Sequence, residues 1–164
     1  MQNARFYGAL RSLSDAGIDF ILVGGLAAII QGAPVVTRDV DVVFSRASGN
    51  LTRILRWLEQ SDAIFRIQPD RKLRPNQSHV AAGKHLNLLT VYGPVDLLGT
   101  AGEGLGYEEL LPNSPEIEID GSLRIRVLDL GTIISIKEKI GSEKDLAVLP
   151  TLRSTLEELK RSKS

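Results

Sequence analysis

At 164 residues the chain has room for one domain with a substantial core and is short for two. Hydrophobic residues at 43% and charged residues at 24% make an ordinary globular composition. The 20 Lys and Arg balance the 20 Asp and Glu, which excludes an overall field that draws in polyanions and leaves only local patches for nucleic acid. There is no cysteine, which excludes disulfides and thiolate metal sites and fits a cytoplasmic protein.

The first residues, Met1 to Arg5, lead into an amphipathic pattern rather than an apolar signal core. Phe6, Leu10 and Leu13 recur at helical spacing and predict a helix over residues 1–16, with Gly17 where it ends. Asp19 to Val23 reads as a buried strand; such apolar runs are far too short to span a bilayer, so a soluble protein with no membrane partner is expected. Gly24-Gly25 breaks that strand, and Leu26 to Gln31 reads as a helix closed by Gly32 and Pro34. Asp39 to Phe44 predicts a second strand, and Leu51, Ile54, Leu55 and Leu58 the next helix.

Phe65 to Gln68 and Leu86 to Tyr92 read as strands on either side of a polar stretch, and Val95 to Leu98 as a further short one. Gly99, Gly102, Gly104 and Gly106 then predict a mobile loop without the spacing of a dinucleotide fingerprint. Asp120-Gly121 between Ile117–Ile119 and Leu123–Val127 signals a hairpin. Asp129 can cap a helix running to about Ile140, and a last helix runs from about Ser142 to Lys160. Interleaved helices and strands with an antiparallel hairpin predict an α/β (α+β) protein: one domain over 1–164, with a mixed sheet over 18–127 and carboxy-terminal helices over 129–160.

The chemistry concentrates between Val23 and Phe44. Aspartate is depleted in strands, yet Asp39 and Asp41 sit two apart in a β-branched run and point to the same face. Two adjacent carboxylates repel unless a cation lies between them, and Mg²⁺ held by one or two carboxylates plus substrate phosphates resolves the conflict. The blander reading is a solvent-facing strand with its charges outward. Gly24-Gly25, at a strand-to-helix junction, lets the backbone approach a ligand and offers N–H groups to a phosphate; alternatively it is only a tight turn.

Gly24-Gly25, thirteen residues (26 to 38), then Asp39-Val40-Asp41-Val42 resembles the DNA polymerase beta-like nucleotidyltransferase superfamily. Gly24-Gly25-Leu26-Ala27 with Gly32 and Thr37-Arg38-Asp39-Val40-Asp41 is similar to its small prokaryotic members, among them the nucleotidyltransferase toxins of type IV toxin–antitoxin systems. The resemblance covers about residues 18 to 150. It implies a nucleotidyltransferase-like mixed β-sheet with flanking helices. It also implies a third carboxylate, for which Asp96 in Pro94-Val95-Asp96-Leu97 fits, a turn aspartate being the alternative. The family's late pattern matches at Leu128-Asp129-Leu130, Lys137 and Lys144-Asp145. The chain departs from it at Ser142, where relatives carry arginine, and at Val148, where they often carry a second aspartate.

The resemblance implies a reaction in which a nucleoside monophosphate passes from an NTP, such as ATP, to a hydroxyl on RNA such as tRNA, or on a protein. Asp39, Asp41 and Asp96 would hold two Mg²⁺ or Mn²⁺ ions and act in catalysis. Gly24, Gly25 and Thr37 would hold the nucleotide, with Arg38 or Lys137 neutralising the triphosphate. A cognate antitoxin or a helical partner protein is implied too. Arg66, Arg71, Lys72, Arg74 and Lys84 against Asp70 give residues 66–85 a net charge of +4, a patch that could track an acceptor's phosphates or a solvated loop. Ser142 and Val148 keep open the alternative of a catalytically inactive nucleotidyltransferase fold that binds nucleotide or regulates.

Overall fold

The computed structural model describes residues 2–163. Met1, expected in the first helix, and Ser164, in the expected tail, lie outside the described residues. Helix α1 (Gln2–Asp15) buries Phe6, Ala9, Leu10 and Leu13, the face its spacing predicts. Gly17 ends it with a φ of +74°. Strand β1 (Phe20–Val23) is buried along its whole length and runs directly into α2 (Gly24–Ile30). The glycine pair is therefore the first turn of α2 rather than a break before a helix starting at Leu26. Strand β2 (Val40–Phe44) begins one residue after Asp39, which sits on the bend leading into it. Helix α3 (Ser48–Gln60) buries Ile54, Trp57 and Leu58.

The next stretch departs from expectation. Strand β3 (Ile64–Phe65) has two residues instead of reaching Gln68. Gln68 and Lys72 take left-handed φ values of +55° and +49° on either side of a 3₁₀ turn at Pro69–Arg71. Pro69 has no N–H to donate to a ladder, so pairing stops before it. Helix α4 (Gln77–Ala81), which periodicity does not reveal, is made by its cap. The Asn76 side chain accepts from the His79 N–H at 3.2 Å, and the Asn76 N–H donates to His79 Nδ1 at 2.9 Å.

Strands β4 (Leu86–Thr90) and β5 (Gly93–Leu98) form a hairpin across Val91-Tyr92. The expected glycine loop contains a small ribbon, β6 (Thr100–Ala101) with β7 (Leu105–Gly106), followed by the short α5 (Tyr107–Leu110). It follows the end of β5 that lies past Asp96, and between the two Gly99 presses against the backbone of Gly83 too closely to carry a side chain. Strands β8 (Glu116–Asp120) and β9 (Leu123–Val127) make the predicted hairpin. Asp129 caps α6 (Leu130–Ile140) by accepting from the Thr132 N–H at 2.7 Å, and Ser142 caps α7 (Glu143–Ser162).

Seven strands form one mixed sheet in the order β3-β4-β5-β2-β1-β9-β8. The β2–β5 and β1–β9 pairs are parallel and the others antiparallel. Edge strand β8 alternates half-buried Ile117 and Ile119 with exposed Glu116, Glu118 and Asp120, charges that discourage another strand from docking there. Trp57 joins α3 to α1, its ring buried and its Nε1 donating to Ser12 Oγ at 2.9 Å. The Gln31 amide joins α2 to α6: it donates to the Leu128 carbonyl and accepts from the Leu130 N–H, each at 2.9 Å. One apolar cluster runs from Phe6 to Leu152, and each fully buried Leu, Ile or Phe in it is worth about 1.5–3 kcal/mol. No helix among the described residues is long and apolar enough to cross a membrane.

Candidate active site

Strand register brings the acidic residues together. Asp41 on β2 lies opposite Val23 on β1 and beside Asp96 on parallel β5. Asp39, on the bend just before β2, turns its carboxylate into the same space. Oxygens of Asp39, Asp41 and Asp96 all lie within 4.8 Å of one another. Asp96 is buried, and the other two are half-buried. The two glycines make room for this. Gly24 has a φ of +72°, and a side chain there would collide with the Asp41 carboxylate. A Cβ on Gly25 would sit 2.8 Å from Thr37 Cβ and 3.0 Å from its hydroxyl. Thr37 in turn lies 3.4 Å from an Asp39 oxygen, its hydroxyl donating.

Three carboxylates this close resist ionising together. Two unit charges 4.8 Å apart repel by about 3.5 kcal/mol at an effective dielectric of about 20. Burial is the largest cause that pushes the Asp41 carboxyl up to about 8, followed by the hydrogen bond with Asp96 and the charges of Asp39 and Asp96. Asp39 is raised by burial and then by Asp96, and Arg66 opposes both shifts.

Arg66 is the cluster member that sequence reasoning missed, having read it as part of either an acceptor-tracking patch or a solvated loop. Its Nη2 donates to Asp96 Oδ1 at 2.8 Å and lies 3.9 Å from Asp39 Oδ2, while Nη1 donates to the Leu88 carbonyl at 3.0 Å. The residue follows edge strand β3, and its side chain reaches across β4 to β5, so only the strand order reveals the contact. The rest of the expected patch is dispersed: Arg74 pairs with Asp62 and Arg71 bonds to Gln68, while Lys72, Lys84 and His85 remain exposed.

A cleft of about 210 Å³ opens beside the carboxylates between α2, the approach to β2, and α6–α7. Gly24, Gly25, Thr37, Asp39, Asp41, Lys137 and Lys144 contribute to its wall, with Val36, Val148 and Leu152 as apolar lining. Lys137 reaches Asp145 at 3.1 Å. The Ser142 hydroxyl donates to the other Asp145 oxygen at 2.7 Å and, with Lys137, holds that carboxyl below its ordinary value. Ser142, where the resembled proteins carry arginine, is thus both a helix cap and a brace for Asp145. Val148 stands in the cleft wall where they often carry aspartate. Arg38 is exposed on the bend before β2 and is not part of this wall. Larger hollows of about 480 and 560 Å³, by α5 and by α3, contain none of the three clustered aspartates.

The donor set is oxygen only, which suits a hard divalent cation, and Asp39, Asp41 and Asp96 could hold a metal ion. A seven-stranded mixed sheet flanked by helices makes this a nucleotidyltransferase-like fold. A solved structure that shares it is a protein from Thermotoga maritima, described provisionally as a nucleotidyltransferase: it is 19% identical, the match covers 96% of each chain, and the TM-score is 0.57. At that identity the likeness establishes the fold. No protein-family model matches the sequence, and no curated protein sequence does.

Proposed function

We propose that this chain is a metal-dependent nucleotidyltransferase that moves a nucleoside monophosphate from an NTP to a hydroxyl on RNA, such as tRNA, or on a protein. The observation that carries this reading is the meeting of Asp39, Asp41 and Asp96 beside Gly24, whose missing side chain leaves room for the Asp41 carboxylate. Asp39, Asp41 and Asp96 would hold Mg²⁺ or Mn²⁺, which when bound neutralises phosphate oxygens and stabilises charge on the transferring phosphoryl group. Gly24, Gly25 and Thr37 form the wall along which the triphosphate lies in this reading. Lys137 supplies positive charge to the same wall, oriented by Asp145. In this reading Asp96 accepts the proton of the acceptor hydroxyl.

In this proposal residues 1–164 act as one domain, which the continuous apolar core favours. A cytoplasmic role within a toxin–antitoxin pair, with an antitoxin or a helical partner protein covering the cleft, is the biological setting suggested by the resemblance. The test incubates the protein with each labelled NTP, Mg²⁺ and total RNA or lysate. Label transfer that Asp41→Asn and EDTA both abolish is expected; no transfer with any NTP counts against the reading.

A second reading, a nucleotide-binding module without catalysis, is favoured by one observation: the Lys137 charge is already engaged by Asp145. Calorimetry with NTP and Mg²⁺ separates the two, since the module binds without turnover.

A further inference from the structure

We propose that Arg66 is a built-in cation of the carboxylate cluster and takes the place of a second divalent ion, so that the cluster binds one. This rests on the reading of Asp39, Asp41 and Asp96 as a metal site. The resemblance alone leads to two ions between these carboxylates, but the structure already places a fixed positive charge there. The guanidinium donates to Asp96 Oδ1 at 2.8 Å and stands 3.9 Å from Asp39 Oδ2. It is locked from behind: Nη1 donates to the Leu88 carbonyl at 3.0 Å, and the Arg66 backbone N–H donates to the Asn87 carbonyl at 2.9 Å. Among the described residues it makes no ion pair with Asp41, so the side of the cluster where Asp39 and Asp41 line the cleft is the side left for an ion.

Charge leads to the same count. Before nucleotide binds, three ionised carboxylates are matched by one divalent ion plus one guanidinium, whereas two divalent ions beside Arg66 leave excess positive charge that only a bound triphosphate would offset. An arginine does not lose its proton in a protein, so pH cannot vacate the position. A second ion seeking Asp96 meets the guanidinium already on that oxygen.

Crystals of the wild-type protein, Arg66→Gln and Arg66→Lys, soaked in MnCl₂, test this by anomalous scattering. Manganese counted in solution by electron paramagnetic resonance provides a measurement that needs no crystal. One manganese per cluster is expected in the wild type and in Arg66→Lys, and two in Arg66→Gln. Two ions in the wild type with Arg66 in place overturn the proposal while the metal site stands. So does a single ion in Arg66→Gln. No manganese at the cluster in any of the three proteins overturns the metal site itself and the proposal with it. Should Arg66→Gln fail to fold, Arg66→Met, which keeps much of the side chain's length without its charge, takes its place with the same expected count of two and the same overturning count of one.

Discussion

Replacing Asp41 with asparagine should make the metal-free protein more stable while destroying its metal site. In the fold the Asp41 carboxyl is pushed up to about 8 by burial, by its hydrogen bond with Asp96 and by the charges of Asp39 and Asp96. In the unfolded chain it titrates near the ordinary aspartate value of 3.8. A carboxyl raised on folding binds its proton more tightly in the native state, so stability is fully present below the unfolded value and drains away as pH rises towards about 8. At pH 7 the chain is about three units above the unfolded value, and at 1.36 kcal/mol per unit that costs about 4 kcal/mol. Asparagine keeps the shape and cannot ionise, so it recovers a few kcal/mol at pH 7 and almost nothing at pH 4.

The assay is urea denaturation in EDTA from pH 4.5 to 8.5. The wild type should lose stability with rising pH, and Asp41→Asn should lose much less, the remainder coming from Asp39, which burial and Asp96 still raise. Added Mn²⁺ should restore the wild type at pH 8 and leave the variant unmoved, because the ion selects the ionised carboxylates. Parallel pH curves for the two proteins would refute the argument that these charges are crowded at the expense of the fold.

Gly24→Ala must hold a φ of +72° and push against the Asp41 carboxylate; a loss of about 1–3 kcal/mol in denaturation and loss of label transfer are expected. Ser142→Ala removes the cap of α7 and the brace on Asp145; it should cost about 1 kcal/mol by thermal melting and raise the KM for NTP more than it lowers kcat. Trp57→Ala opens a cavity in the core and leaves the Ser12 hydroxyl without its donor. A loss of about 3–5 kcal/mol by urea denaturation is expected, with manganese binding unchanged while the variant remains folded.

Residues near one another in the chain carried most of what could be read early. Phe6, Leu10 and Leu13 show α1 by spacing alone, Asp120-Gly121 shows the last hairpin, and Asp129 and Ser142 are capping residues at the helix starts. The polar stretch from Arg66 to His85 was read least well. Its helix depends on an unusual Asn76–His79 cap, and its first strand is cut short by Pro69. The ribbon inside the glycine-rich loop was not foreseen, because its pairing depends on Thr100 meeting Gly106.

The pairing of Gly24-Gly25 with Asp39 and Asp41 was written in the sequence, because an antiparallel return of β2 along β1 places Val23 against Asp41 with few alternatives. Asp96 could be nominated but not located, since its distance from Asp41 is set by β5 lying parallel to β2 and in register with it. Arg66 could not be nominated for the cluster at all. Thirty residues of chain separate it from Asp96, and its place there exists only because the sheet orders its strands β3-β4-β5-β2. Local spacing determined which side chains share a face; strand order decided which charges meet, because in a sheet the neighbours that matter are across the ladder.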